Sequence, residues 1–126
     1  MARSAKILVV EDYDSVRGAV CSLLRRQSHW KIYQAENGKT ALGRIHEIKP
    51  DVVVMDMMMP EMNGLEAAYQ IRQLAPETKV ILMSNFYSAE EAVTLSRIFA
   101  DGNFIEKSAI WRDLVTAINR LLPNES

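Results

Sequence analysis

Five side chains suited to charged oxygen chemistry stand at or just after short apolar runs of the chain. Glu11 and Asp12 follow Ile7-Leu8-Val9-Val10, and Asp56 closes Val52-Val53-Val54-Met55. Ser84 closes Val80-Ile81-Leu82-Met83, and Lys107 comes shortly after Phe104-Ile105. Three carboxylates brought together repel one another and need a counter-charge. A hard divalent cation such as Mg2+ supplies it, because it prefers oxygen ligands and keeps several waters. Lys107 supplies a second positive charge, compact and suited to a phosphate oxygen. Ser84 can donate a hydrogen bond to an oxyanion. A carboxylate beside a metal, an ammonium and a hydroxyl donor is what phosphoryl transfer onto an aspartate requires, since that chemistry is mostly positioning and neutralisation of charge. Taken singly, each residue has a plainer reading. Glu11-Asp12 fits a solvated loop or a helix cap, and a lone Lys107 fits a surface charge. Their joint placement at the ends of several strands is what points to a site.

That placement requires the runs to be neighbouring strands. Three of them are continuous rather than alternating, which fits strands covered on both faces; Trp30 to Ala35 is weaker and Phe104-Ile105 is short. Helical patterns lie between them. Val16, Ala19, Val20, Leu23 and Leu24 follow the spacing of one helix face. Ala41, Ile45 and Ile48 mark a second helix ended by Pro50, and Leu65, Ala68, Ile71 and Leu74 a third ended near Pro76. Ser88-Ala89-Glu90-Glu91 is a capping box that opens a fourth. Trp111, Leu114, Val115, Ile118, Leu121 and Leu122 make the core face of a fifth, stopped by Pro123. A strand–helix unit repeated five times predicts an α/β fold: a doubly wound parallel five-stranded sheet with right-handed crossovers. The flavodoxin-like order 2-1-3-4-5 is the expected one of the common solutions, although periodicity leaves the order open. Such sheets hold their sites at the carboxyl ends of the strands, where the residues of the first paragraph fall.

The composition narrows the function classes. A chain of 126 residues is one ordinary domain. Fifteen basic and sixteen acidic side chains leave a formal charge of −1, so no long-range field draws the domain to nucleic acid or an anionic membrane. The apolar runs are too short to cross a bilayer, and the start does not read as a secretion signal. Cys21 is alone, which excludes an internal disulfide and a Cys-based zinc site. A cytoplasmic protein is expected. His29 and His46 have no paired ligands nearby in sequence. Gly18, inside the first helix, suggests a close packing partner or a docking surface. Met58 and the other methionines around Asp56 read as flexible packing around a mobile loop, with Met58 placed to shield a phosphoryl group from water.

The segments Ile7 to Asp12, Asp51 to Gly64, Lys79 to Ser84 and Asn103 to Ser108 together resemble the receiver domain of bacterial two-component response regulators, along nearly the whole chain. Asp56-x-x-x-Pro60-x-Met62-x-Gly64 is the most specific stretch. Met62-Asn63-Gly64-Leu65-Glu66-Ala67 looks most like the branch that carries a LuxR-type helix-turn-helix output domain. The resemblance implies that Asp56 accepts a phosphoryl group from a phosphohistidine of a sensor histidine kinase or phosphotransfer protein. It implies that Glu11 and Asp12 hold Mg2+, with Asp12, Asp56 and the backbone carbonyl of Met58 as direct ligands. Ser84 and Lys107 would engage the attached phosphoryl group, and Phe104 would be the switch residue that turns inward when Ser84 moves. Phosphorylation adds about −1.5 to −2 charges, and the surface of the fourth helix, fifth strand and fifth helix would respond as a two-state element. The chain departs from the commonest pattern at Glu11 (usually Asp), Phe104 (usually Tyr), Asn85 (usually small) and Ser108 (often Pro).

Competing functions meet specific obstacles. Aspartyl-phosphate phosphatases need a second Asp two residues after the nucleophile, where this chain has Met58. A flavin or nucleotide module needs a Gly/Ser/Thr-rich loop after the first strand, whereas Glu11-Asp12-Tyr13-Asp14 would repel a phosphate. A degenerate receiver that is never phosphorylated is the remaining alternative. Residues 1–126 are expected to form the receiver with no output domain after Pro123, either as a stand-alone regulator acting by protein contact or as a piece cut before a helix-turn-helix. The domain is expected to catalyse only its own phosphorylation and dephosphorylation, to dimerise on phosphorylation, and to touch neither nucleic acid nor membrane.

Overall fold

The computed structural model describes residues 4–59, 62–84 and 103–123. The strands are β1 (Ala5–Val10), β2 (Trp30–Ala35), β3 (Val52–Asp56), β4 (Lys79–Ser84) and β5 (Phe104–Glu106). The helices are α1 (Asp14–Arg25), α2 (Gly38–Ile48), α3 (Gly64–Leu74) and, after a 3₁₀ turn over Lys107–Ala109, α4 (Ile110–Leu121). α4 is the fifth helix of the sequence pattern. The capping box at Ser88 and the residue Asn85 lie outside the described residues, as do Pro60 and Glu61. The five strands form one parallel sheet in the order β2-β1-β3-β4-β5, which is the expected arrangement.

Alternation along the continuous apolar runs divides the core in two. Leu8, Val10, Val53, Met55, Val80 and Leu82 face α2 and α3, packing with Ala41, Ile45, Ala67, Ala68 and Ile71. Ile7, Val9, Val52, Val54, Ile81 and Met83 pack with Val20, Cys21 and Leu24 of α1 and with Ile110, Leu114 and Ile118 of α4. β1, β3 and β4 are thus apolar on both sides because both sides are covered, and full burial of each such side chain stabilises the fold by about 1.5–3 kcal/mol.

The helices begin and end where local chemistry directs. Asn37 caps α2 by accepting from Thr40 N at 2.7 Å, and Asn63 caps α3 by accepting from Glu66 N at 2.8 Å; both satisfy otherwise orphaned first-turn amides. α2 stops at Lys49, which takes a left-handed conformation (φ 52°) and donates to Ile45 O, just before Pro50.

Three details correct the sequence reading. Trp111 is 62% exposed rather than core. The buried stripe of α4 runs through Ile110, Leu114 and Ile118, and one residue further on turns the side chain about 100° around the helix. Leu74 is likewise exposed, and the buried face of α3 runs through Gly64, Ala67, Ala68 and Ile71. Gly18 has no close packing partner among the described residues: a Cβ built there meets none of them within 4 Å.

Candidate functional site

The register of the sheet explains why distant residues meet. Val10 pairs with Met55, so Glu11 and Asp56 each stand one position beyond paired neighbours on adjacent strands. Asp56 pairs with Met83, which precedes Ser84, and Ser84 pairs with Glu106, which precedes Lys107. All four strand ends therefore finish at one level.

Asp56 is buried at the end of β3. The backbone beyond it is held on both sides: Met57 N donates to Met83 O at 2.8 Å, and Gly64 N donates to Met57 O at 2.8 Å. The start of α3 thus sits directly on the strand end. A Cβ on Gly64 would lie 2.5 Å from Asp56 O and 2.7 Å from Met57 Cα, so only glycine permits this approach. Met58 N donates to Asp56 Oδ1 at 3.3 Å, while Met58 as a whole is 72% exposed.

Glu11 is fully buried. Its Oε1 accepts from Lys107 Nζ at 2.9 Å, and the same ammonium lies 3.4 Å from Asp56 Oδ1. Carboxylate oxygens of Glu11, Asp12 and Asp56 lie within 4.8 Å of one another. This is the group of possible metal-ligating side chains among the described residues, and it includes neither histidine nor Cys21. Burial pushes the Glu11 carboxyl up to about 7, helped by the adjacent Asp56 and opposed by the Lys107 hydrogen bond. For Lys107, burial works against the ammonium, but the hydrogen bond and charge of Glu11 and the charge of Asp56 outweigh it and hold the group above its ordinary value.

The remaining oxygens decide what the pocket fits. Glu11 Oε2 and Asp12 Oδ1 are buried with no hydrogen-bond partner among the described residues. A buried polar atom left unpaired costs about 1–3 kcal/mol, and more when charged. One ammonium cannot neutralise three clustered carboxylates. An all-oxygen donor set with unsatisfied anionic atoms fits a hard divalent cation such as Mg2+.

The structure thus brings together Glu11, Asp12, Asp56 and Lys107, with Ser84 buried at the end of the neighbouring strand. Phe104 stands apart from the ion pairs: it opens β5 opposite Leu82 and is half-buried against the core cluster that contains Leu8 and Leu82. The peptide between Lys107 and Ser108 is trans, as are all described peptides. Two residues of the site had no role in the sequence reading. Gly64 was visible only as part of a motif. Arg17, whose Nη1 donates to Glu11 O at 2.8 Å, carried no signal beyond a charge on a helix.

Comparison with known proteins identifies the family. Residues 7–119 match the family model described as the response regulator receiver domain. The response regulator protein VraR of Staphylococcus aureus is 32% identical over 122 residues, which cover 96% of this chain and 58% of that protein. The chain therefore spans less than two thirds of the length of the curated relatives it matches. Among solved structures, the response regulator domain of Thermotoga maritima CheB superposes with a TM-score of 0.82 at 27% identity, covering 98% of this chain and 100% of that one. A two-component response regulator of the LuxR family from Aurantimonas sp. SI85-9A1 superposes equally well, with a TM-score of 0.82 at 26% identity over 94% of this chain and 84% of that one. The chain belongs to the response regulator receiver domain family, with LuxR-type regulators among its relatives.

Proposed function

We propose that this receiver takes a phosphoryl group onto Asp56 from a phosphohistidine of a sensor histidine kinase or phosphotransfer protein. A carboxylate oxygen of Asp56 forms the new O–P bond as the N–P bond of the phosphohistidine breaks and the imidazole leaves. The observation that carries the reading is the arrangement around Lys107: its ammonium lies between Glu11 and Asp56, beside two buried carboxylate oxygens that lack partners among the described residues. Glu11, Asp12 and Asp56, with the backbone carbonyl of Met58, would hold Mg2+. When bound, the ion supplies the charge neutralisation that lets an anionic phosphoryl group approach an anionic nucleophile. Lys107 offers a point charge to the same group, and Ser84 a hydroxyl donor.

The acquired charge is the signal. Ser84 and Lys107 drawn towards Asp56 would leave room for Phe104 to turn inward, biasing the surface of β5, α4 and the helix that the sequence pattern expects before β5. The likeness to LuxR-family regulators supports an output through a helix-turn-helix domain that controls transcription, with homodimerisation following phosphorylation. The receiver would catalyse only its own phosphorylation and dephosphorylation, in the cytoplasm. No described helix is long and apolar enough to cross a membrane.

Acetyl phosphate with Mg2+ tests the reading. The intact mass is expected to rise by one phosphoryl group, with a change in the fluorescence of Trp30 and Trp111. The gain is expected to vanish without Mg2+ and in Asp56→Asn. No gain under conditions where Mg2+ binds would overturn the phosphoacceptor role.

A further inference from the structure

We infer that Arg17 is the positioning residue of the acidic cluster: its guanidinium locks the backbone at Glu11 so that the Glu11-Asp12 turn presents its carboxylates to Asp56. The inference rests on the reading of that cluster as a Mg2+ site. Arg17 lies on α1, yet its side chain is only 16% exposed. Each of its nitrogens has a partner on a different element. Nη1 donates to Glu11 O at 2.8 Å, in the turn after β1. Nε donates to Gln34 Oε1 at 3.0 Å, on β2. Nη2 donates to Asp14 Oδ1 at 2.6 Å, in the first turn of α1. A planar guanidinium presents its donors in a fixed fork, so three such bonds set the relative position of all three elements.

The consequence falls on Glu11. Its amide donates to Ala35 O at 3.2 Å, and its carbonyl is the one Arg17 holds. The peptide groups on both sides of Glu11 are therefore fixed, which sets where its side chain emerges and where Asp12 begins. Among the described residues, Tyr13 at the N-cap of α1 makes no side-chain capping bond, and Asp12 Oδ1 has no partner. A further layer supports the fork, since Arg44 Nη1 donates to Gln34 O at 2.8 Å. Outer groups that orient metal ligands typically change metal affinity about 10–100-fold when removed.

Charge and position predict opposite results, which makes the inference testable. Arg17 carries a positive charge close to a cation site, so removing that charge alone would tighten Mg2+ binding. Losing the fork would weaken it. Mg2+ affinity should be measured by titration calorimetry on the full chain for wild type, Arg17→Met, Arg17→Lys and Gln34→Ala. Amide NMR shifts of Asp12 and Asp56 would be followed in parallel. Arg17→Met and Arg17→Lys are both expected to bind Mg2+ about tenfold or more weakly and to move the Asp12 amide, because one ammonium cannot span three acceptors. Gln34→Ala, at an exposed position, is expected to show a smaller loss in the same direction and serves if Arg17→Met does not fold. Asp51→Ala, a destabilised control at the opposite end of the sheet, is expected to bind as wild type does. Tighter binding by Arg17→Met, or full rescue by Arg17→Lys, would overturn the positioning role. A wild-type protein that binds no Mg2+ would overturn the metal reading and the inference with it, whereas wild-type binding unchanged in every variant would overturn the inference alone.

Discussion

The two ends of the central strands both carry buried or half-buried acids, and they treat them differently. At the end where β1, β3 and β4 begin, Asp51 Oδ2 accepts from Lys6 N at 2.8 Å. Asp51 N donates to Lys6 O at 2.8 Å, and Lys79 N donates to Asp51 O at 3.0 Å. Thr78 Oγ1 donates to Pro50 O at 2.8 Å beside them. Asp51 is thereby tied to the backbone of the strands on either side, and its side chain serves as structure. At the other end of the same strands, Glu11 and Asp12 each have a buried oxygen without a partner among the described residues, and the neutralising group is a lysine that reaches across 96 positions of sequence. An acid that secures the fold is met by amides of adjacent segments. The acids proposed to hold a cation are left under-satisfied among the described residues, at a cost in stability of the kind that function imposes elsewhere in proteins too.

Substitutions can sharpen or break this contrast. The largest expected effect is at Gly64, where the start of α3 rests on Asp56. A methyl group 2.5 Å from Asp56 O forces the backbone to move, so Gly64→Ala should destabilise by about 1–3 kcal/mol in urea unfolding and weaken Mg2+ binding together. Unchanged stability would mean that the close contact is easily relieved.

Next in size is a pair of opposite sign. Asp51→Ala leaves the Lys6 amide without its carboxylate and should lose about 1–3 kcal/mol with the metal site intact. Asp12→Asn removes one charge from a repelling cluster and should gain about 0.5–2 kcal/mol in metal-free protein while losing Mg2+ binding. Equal destabilisation by both would erase the distinction between the two ends.

A pH dependence follows from the burial of Glu11 beside Asp56 and Lys107. Its carboxyl rises from 4.5 when unfolded to about 7 when folded, so the folded state holds the extra proton between those values. The resulting stability is fully present below the unfolded value and is lost as pH rises through about 7. Chelator-treated wild type should therefore lose stability over that window relative to Glu11→Gln, as read from urea midpoints; parallel profiles would contradict it. The smallest effect belongs to neither end. Gly18 is exposed in mid-helix with open space around it, so Gly18→Ala should stabilise by about 0.5–1 kcal/mol without altering Mg2+ affinity.

Local patterning carries far in this chain, and its failures have physical causes. Continuous apolar runs point to strands covered on both faces, and the polar residues that close them are the ones the fold brings together. Trp111 and Leu74 were assigned to the core because they border an apolar stripe. Periodicity locates the centre of a stripe well, but which flank is covered depends on the neighbouring element, and that element is remote in sequence. Gly64 stood out within a motif, yet the reason for a glycine is an approach to Asp56 O that exists only once α3 docks. Arg17 gave no usable signal, since two of its acceptors are a backbone carbonyl and a side chain on β2.

What is encoded locally, then, is the identity of the elements and the placement of Glu11, Asp12, Asp56, Ser84 and Lys107 at strand ends, because side-chain period and chain position are properties of short segments. The pairing of Lys107 with Glu11 as well as Asp56, the unpaired oxygens beside it, and the grip of Arg17 on the turn follow from the register between strands far apart in the chain. That register is set by how two core layers fill against opposite faces of one sheet, which is a property of the assembled fold.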